Sequence, residues 1–335
     1  MNHRLITLSA VFAVASAVNA VAAEPEGPPP RLPDGHPDLS GVWDYRTITP
    51  MQRPAELGTK EFFTKEEAAA FEHYENHRLD RDAMDLETGA SIYPKGGVIP
   101  YNEFWYDRGN QIVATRRTSL IIDPPNGRFP PMTPEGKKRA EVVAAEQAQT
   151  QLGHPHADSY EDRPLVERCL TGLNSGPPMT PGAYNNNVQL FQTKDYVVIL
   201  NEMIHDARIV PLDGRPHGHV RQWKGDSRGH WEGDTLVVDT VNFRRETSLP
   251  NSSENTRVVE RFTRAGEGTL LYEFTVDDPT VWTRPWTAIV PMRKSDQPIY
   301  EYACHEGNYA MTGILAGART AEQKATRQEA GNRPK

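Results

Sequence analysis

From about residue 185 onward the chain reads as one short strand after another, and this constrains the fold more than any other feature. Val188–Thr193 and Tyr196–Glu202 flank Lys194-Asp195, a two-residue turn of the kind that joins antiparallel neighbours. Ala207–Leu212, Val220–Trp223, Thr235–Asp239, Thr256–Phe262, Thr269–Val276, Trp282–Val290 and Ile299–Ala303 continue the pattern, with turn signals at short intervals between them. Connections this short leave no room for the crossovers that parallel strands require. The expectation is a mainly β protein, an antiparallel closed or nearly closed barrel over residues 161–320. Tyr196–Glu202 is apolar on both faces, which predicts cover on both sides.

The preceding part has a different texture. Arg4 and the apolar run from Leu5, ending in Val21-Ala22-Ala23, predict a signal peptide over 1–23, cleaved near Ala23. That places the mature protein in the periplasm or outside the cell. No later segment approaches a spanning length, so membrane insertion of the mature chain is not expected. Residues 24–60 read as an extended Pro- and Gly-rich arm followed by a first strand at Leu39–Trp43. Residues 61–160 read as a helical and irregular region packed on the barrel. There Thr64-Lys65-Glu66-Glu67 is a capping box that starts a helix near 65, and Thr133-Pro134-Glu135 opens a second that ends near Gly153. Between them Arg117–Asp123 is β-branched and stops at Pro124-Pro125-Asn126-Gly127. Residues 321–335 are polar and read as a loose tail.

Charge and cysteine content narrow the function classes. The formal net charge is −8, and loss of Arg4 with the leader makes it −9, which repels phosphate backbones and argues against nucleic acid as a partner. A small molecule is the expected partner. Cys169 and Cys304 are the two cysteines, and in an exported chain they are expected to form a disulfide worth ~4 kcal/mol in the chain-entropy model. The other reading is a reactive thiol at Cys304 beside His305.

Ionisable side chains concentrate between Glu202 and Thr240. Strand parity puts Glu202 at the end of the row Tyr196, Val198, Leu200, where partial desolvation suits a carboxylate for proton transfer. His205 and Arg208 follow and could supply a proton shuttle and an anion clamp, with His217 to orient or assist. The same residues could equally form a strand-end salt-bridge network. His217 and His219, like His154 and His156, form His-x-His pairs that could share a divalent metal with Glu202, His205 or Glu232; otherwise no cofactor is expected. Trp231 and Glu232 read either as a turn with a lid on the core or as part of a barrel mouth. Trp282 and Trp286 share a face with Arg284 and suit either a ligand wall or an ordinary core. Glu301 and His305 close the set of candidate binding residues. No Gly-x-Ser-x-Gly, phosphate loop or dinucleotide fingerprint is present.

Asp38-Leu39-Ser40-Gly41-Val42-Trp43, Arg117-Thr118-Ser119-Leu120-Ile121-Ile122-Asp123-Pro124-Pro125-Asn126-Gly127-Arg128, Gly225-Asp226-Ser227-Arg228-Gly229-His230-Trp231-Glu232-Gly233-Asp234-Thr235 and Tyr302-Ala303-Cys304-His305-Glu306-Gly307-Asn308-Tyr309 together resemble a poorly characterised group of exported bacterial proteins. Gly41-Val42-Trp43 is also similar to the Gly-x-Trp of the first lipocalin strand, and that resemblance implies a ligand-holding barrel. The functional expectation is an exported enzyme using acid/base chemistry, a hydrolase, lyase or isomerase, on a small organic or sugar-derived substrate. The alternative is a periplasmic protein that holds an apolar or aromatic small molecule without converting it.

Overall fold

The structure, a computed structural model, describes residues 27–80, 82, 102–148, 157–245 and 252–331. The expected leader and the His154/His156 pair lie outside them. Ten strands among the described residues form one antiparallel sheet: β1 Gly41–Asp44, β2 Ile121–Asp123, β3 Asn187–Gln192, β4 Tyr196–Asn201, β5 Ala207–Pro211, β6 Asp226–Glu232, β7 Thr235–Val241, β8 Arg257–Arg264, β9 Thr269–Asp277 and β10 Trp286–Ser295. Their order is β5-β4-β3-β1-β10-β9-β8-β7-β6. Two meanders, β3 to β5 and β6 to β10, are therefore joined through the early strand β1. The long β10 holds β1 along residues 293–295 and β2 along 287–288, with a register shift beside the latter. The N-terminal region thus contributes two strands to the sheet and is not merely packed on it.

The sheet is not closed by hydrogen bonds. Its two edge strands, β5 and β6, nevertheless approach each other. A Cβ on Gly229 of β6 would lie 2.6 Å from Leu212 Cδ2 and 2.9 Å from Val210 Cγ1. Where the two edges approach, these side chains pack onto bare backbone, a close approach that only glycine permits.

Alternation decides what fills the enclosure. Val258, Glu260, Phe262 and Arg264 of β8 point inward, as do Leu270, Tyr272, Phe274 and Val276 of β9. With Trp43, Trp286 and Met292 they occupy the interior. The lipocalin-like expectation of a barrel that holds its ligand inside therefore needs correction, because the inside is packed with side chains.

Several local expectations also change. The bend expected within 229–234 falls at Gly233-Asp234, with Gly233 at φ +61°, while the residues before it, Asp226–Glu232, form a strand, β6, that the sequence reading does not include. Val220–Trp223 is not a strand; Gln222 makes an isolated parallel bridge to Phe243, just beyond β7. Ile299–Ala303 is irregular. In β4, Val197, Ile199 and Asn201 are fully buried while Val198 and Leu200 are only partly covered, so one face alone is dry. Helix α1, Lys65–Leu79, starts at the expected capping box of Thr64 and Glu67 and packs Ala68 and Phe71 against Ile48, Phe63 and Ile112. Helix α2 is Pro134–Ala148, and α3 runs Ala310–Gly331 where a loose tail was expected from 321. Among the described residues no helix is long and apolar enough to cross a membrane. Cys169 and Cys304 are joined in a disulfide with Cα atoms 5.9 Å apart, which removes the free-thiol reading.

The seam yields a prediction. Gly229→Ala forces a methyl into the β5 side chains, and overpacking of this kind costs ~1–3 kcal/mol. Chemical denaturation should show that loss; an unchanged midpoint would mean that β5 and β6 do not meet as described.

Candidate functional site

Beside the sheet, irregular segments enclose a cleft of about 510 Å³. One wall is the 296–303 segment, carrying Tyr300 and Tyr302. The others come from Tyr184 and Asn185 and from Trp105, at the end of the 3-10 turn Glu103–Trp105. Tyr184 and Tyr302 lie parallel, with centroids 6.5 Å apart. Arg46 lies where the cleft ends and donates to both Asp44 and Asp107. The Asp44 hydrogen bond, opposed by partial burial and assisted by Asp107, holds this guanidinium above its usual range.

Glu202 and Asp107 are the carboxylates that line this cleft, and Glu202 is only 4% exposed. One oxygen accepts from Asn187 Nδ2 at 2.8 Å and the other from the Tyr300 backbone N–H at 3.0 Å. Its cover is thus the 298–302 segment, outside the interior enclosed by the sheet. A carboxylate can accept more than two hydrogen bonds, so these two donors leave acceptor capacity on Glu202. The turn after Glu202 is strained. Ile204 has φ +59° and His205 φ +44°, and a β-branched residue in the left-handed region is an outlier costing ~1–3 kcal/mol. Burial of Met203 and Ile204 holds the turn in place.

The remaining predicted residues are dispersed. His205 is exposed, and its ring nitrogen lies 3.3 Å from the Tyr302 carbonyl, behind the cleft wall. Arg208 points to the buried face of the sheet and pairs with Glu260 at 2.6 and 2.7 Å. His217 sits between Asp226 and Asp239, 3.4 Å from each. Glu202, His205, Arg208 and His217 therefore do not converge on one concavity. Among the described residues no three His, Cys, Asp or Glu side chains come together as a metal site, so His217 and His219 are not completed by Glu202, His205 or Glu232. Trp231 stacks on His36 at 4.4 Å, and exposed Glu232 pairs with Arg261. Trp282 and Trp286 pack on Phe129 in the core. Glu301 and His305 line separate clefts on either side of the disulfide.

A second polar assembly, legible only in part, lies inside. Tyr272 donates to Glu260 at 2.7 Å and accepts from the Met179 N–H at 2.9 Å. Burial, reinforced by Glu260, raises the Tyr272 hydroxyl far above its ordinary range. Burial opposes the charge on Arg208 too, but Glu260 overcomes it and raises the guanidinium. Nearby, Lys224 donates to Ser175 Oγ at 2.7 Å and the Gly176 carbonyl at 3.0 Å, and pairs with Asp206. Burial lowers its ammonium to about 8 against the pull of Asp206. Parity alone places Glu260 between Val258 and Phe262 on the buried face of β8, and that was the available signal. Lys224 and Ser175 sit in irregular segments and carried none. Ser175 is fully buried, so its hydroxyl serves the fold.

Two outcomes follow. Arg208→Ala strands Glu260 without its cation and should cost ~3–5 kcal/mol in denaturant unfolding; a stability loss below 1 kcal/mol would contradict the network. For Lys224, the unfolded chain keeps its proton up to about 10.5 while the folded chain releases it near 8. The unfolded state therefore binds more protons between those values, and the contribution of Lys224 to stability rises with pH there. Subtracting the pH profile of Lys224→Met from that of the parent protein should expose this slope, and parallel profiles would rule it out. No protein-family model, curated protein or solved structure matches the chain.

Proposed function

We propose that the protein is exported and binds a small, neutral, polyhydroxylated molecule of sugar type in the cleft around Glu202. The observation that carries this reading is the composition of the cleft. Exposed aromatic faces stand beside Glu202, Asp107 and Arg46, with Asn185 and Asn187 between them. A hydroxyl both donates and accepts, so one kind of ligand group can satisfy carboxylates, amides and a guanidinium together. The apolar face of a sugar ring matches the aromatic walls. A purely apolar ligand would desolvate the charges without replacing their hydrogen bonds, at a cost of several kcal/mol. The Cys169–Cys304 disulfide supports an oxidising compartment.

A catalytic reading attaches to one feature, the fixed orientation of Glu202. A nearly dry carboxylate held by two donors is positioned to accept a proton from a bound hydroxyl, which is the acid/base chemistry of a hydrolase, lyase or isomerase. This reading assigns no role to Arg208 or His217.

Calorimetric titration of a panel of neutral monosaccharides tests the proposal. Binding is expected, and Glu202→Ala should weaken it roughly ten- to hundredfold, the range of a hydrogen bond to a charged group. Unchanged affinity in a folded variant would refute the site. Mass spectrometry of the same mixtures separates retention of intact ligand from turnover.

A further inference from the structure

We propose that the binding site extends beyond one ring and takes a linear oligosaccharide; this rests on the sugar-type reading above. A second cleft, of about 530 Å³, adjoins the first. Arg46 and Asp107 line both, so the two meet at that ion pair.

The ridge between them is the 3-10 turn Glu103–Trp105. Trp105 lines the cleft of Glu202 and Phe104 lines the second one. Their rings stand edge to face, 5.3 Å apart at 85°. Phe104 is 83% exposed and Trp105 62%, so each presents a large apolar surface to solvent. Consecutive aromatic residues on a ridge thus furnish one platform to each half of a continuous groove.

The chemistry of the second half repeats that of the first. Arg46, Arg108 and Arg293 balance Asp44, Glu103 and Asp107 among its lining residues. Arg108 pairs with Glu103, and Arg293 reaches Gln111 at 3.4 Å. A ligand with a large net charge of either sign would meet groups of its own sign. A further ring carrying hydroxyls would not, because each hydroxyl can turn its donor or its acceptor toward the group it meets. A single ring fills only the Glu202 half, and the platform of Phe104 then has no occupant. A linear chain of two or more rings uses both platforms.

The test is calorimetry of the whole protein with glucose, mannose, galactose and xylose, and with the linear di-, tri- and tetrasaccharides of each. In at least one series the disaccharide or trisaccharide should bind about tenfold or more tightly than its monomer. In Phe104→Ala the ratio of oligomer to monomer affinity should collapse toward one. In Ile209→Ala, at an exposed position of β5, that ratio should persist. Monosaccharide binding with no gain from chain length, or a gain that survives Phe104→Ala, overturns the extended groove and leaves the Glu202 site standing. Absence of binding across all series overturns both.

Discussion

The pair of Arg208 and Glu260 sets the terms for the rest of the molecule. Arg208 lies on β5 and Glu260 on β8, and their side chains meet in the interior, where Glu260 is fully buried. Taking both charges out of water is costly, and only close, doubly hydrogen-bonded geometry offsets it. That geometry is present, and Tyr272 adds a further donor to Glu260. The pair also spans the opening of the sheet, because β5 is one edge and β8 belongs to the meander that ends in the other edge, β6. It therefore reinforces the seam where Val210 and Leu212 pack on Gly229. An enclosure filled by this network and by Trp43, Phe262, Tyr272 and Phe274 is a core.

With the interior occupied, the cleft of Glu202 lies outside it, where the chain leaves the regular ladder. The wall carrying Tyr300 and Tyr302 forms no strand. It is tied down by the Tyr300 N–H on Glu202, by the contact of His205 with the Tyr302 carbonyl, and by the disulfide at Cys304. Two of these ties lead back to the turn after β4 and the third to Cys169. The strained turn at Ile204 and His205 is the point where β4 hands over from sheet to cleft, and its buried side chains hold that conformation. Irregular backbone on a rigid scaffold is where binding groups are usually placed.

Much of the scaffold was legible from local chemistry. The Thr64/Glu67 capping box, the Lys194-Asp195 turn and the pairing of the two cysteines each rest on a short-range rule, and each is found. Asp226–Glu232 does not read as a strand because its charged residues face outward on an edge strand and, of its inward positions Ser227, Gly229 and Trp231, only the last is a large apolar residue. The places of β1 and β2 in the sheet are not legible locally, because β10, which pairs with both, is more than 160 residues away from either. The candidate site was legible only at Glu202. Density of charge along the chain pointed to His205, Arg208 and His217, but strand parity sends Arg208 inward while His217 finds carboxylates outside. Phe104, Trp105 and Arg46 join Glu202 only through the long-range fold, and no spacing rule connects them.

The central claim is that ligand is held by the irregular segments around Glu202 while the core enclosed by the sheet stays packed. Hydrogen exchange of the protein with and without a saturating sugar ligand tests it most directly. The account predicts added protection in residues 102–108, 184–187 and 298–303 and no change in β8 and β9. Protection confined to 257–264 and 269–277, with the irregular segments unaffected, would contradict it.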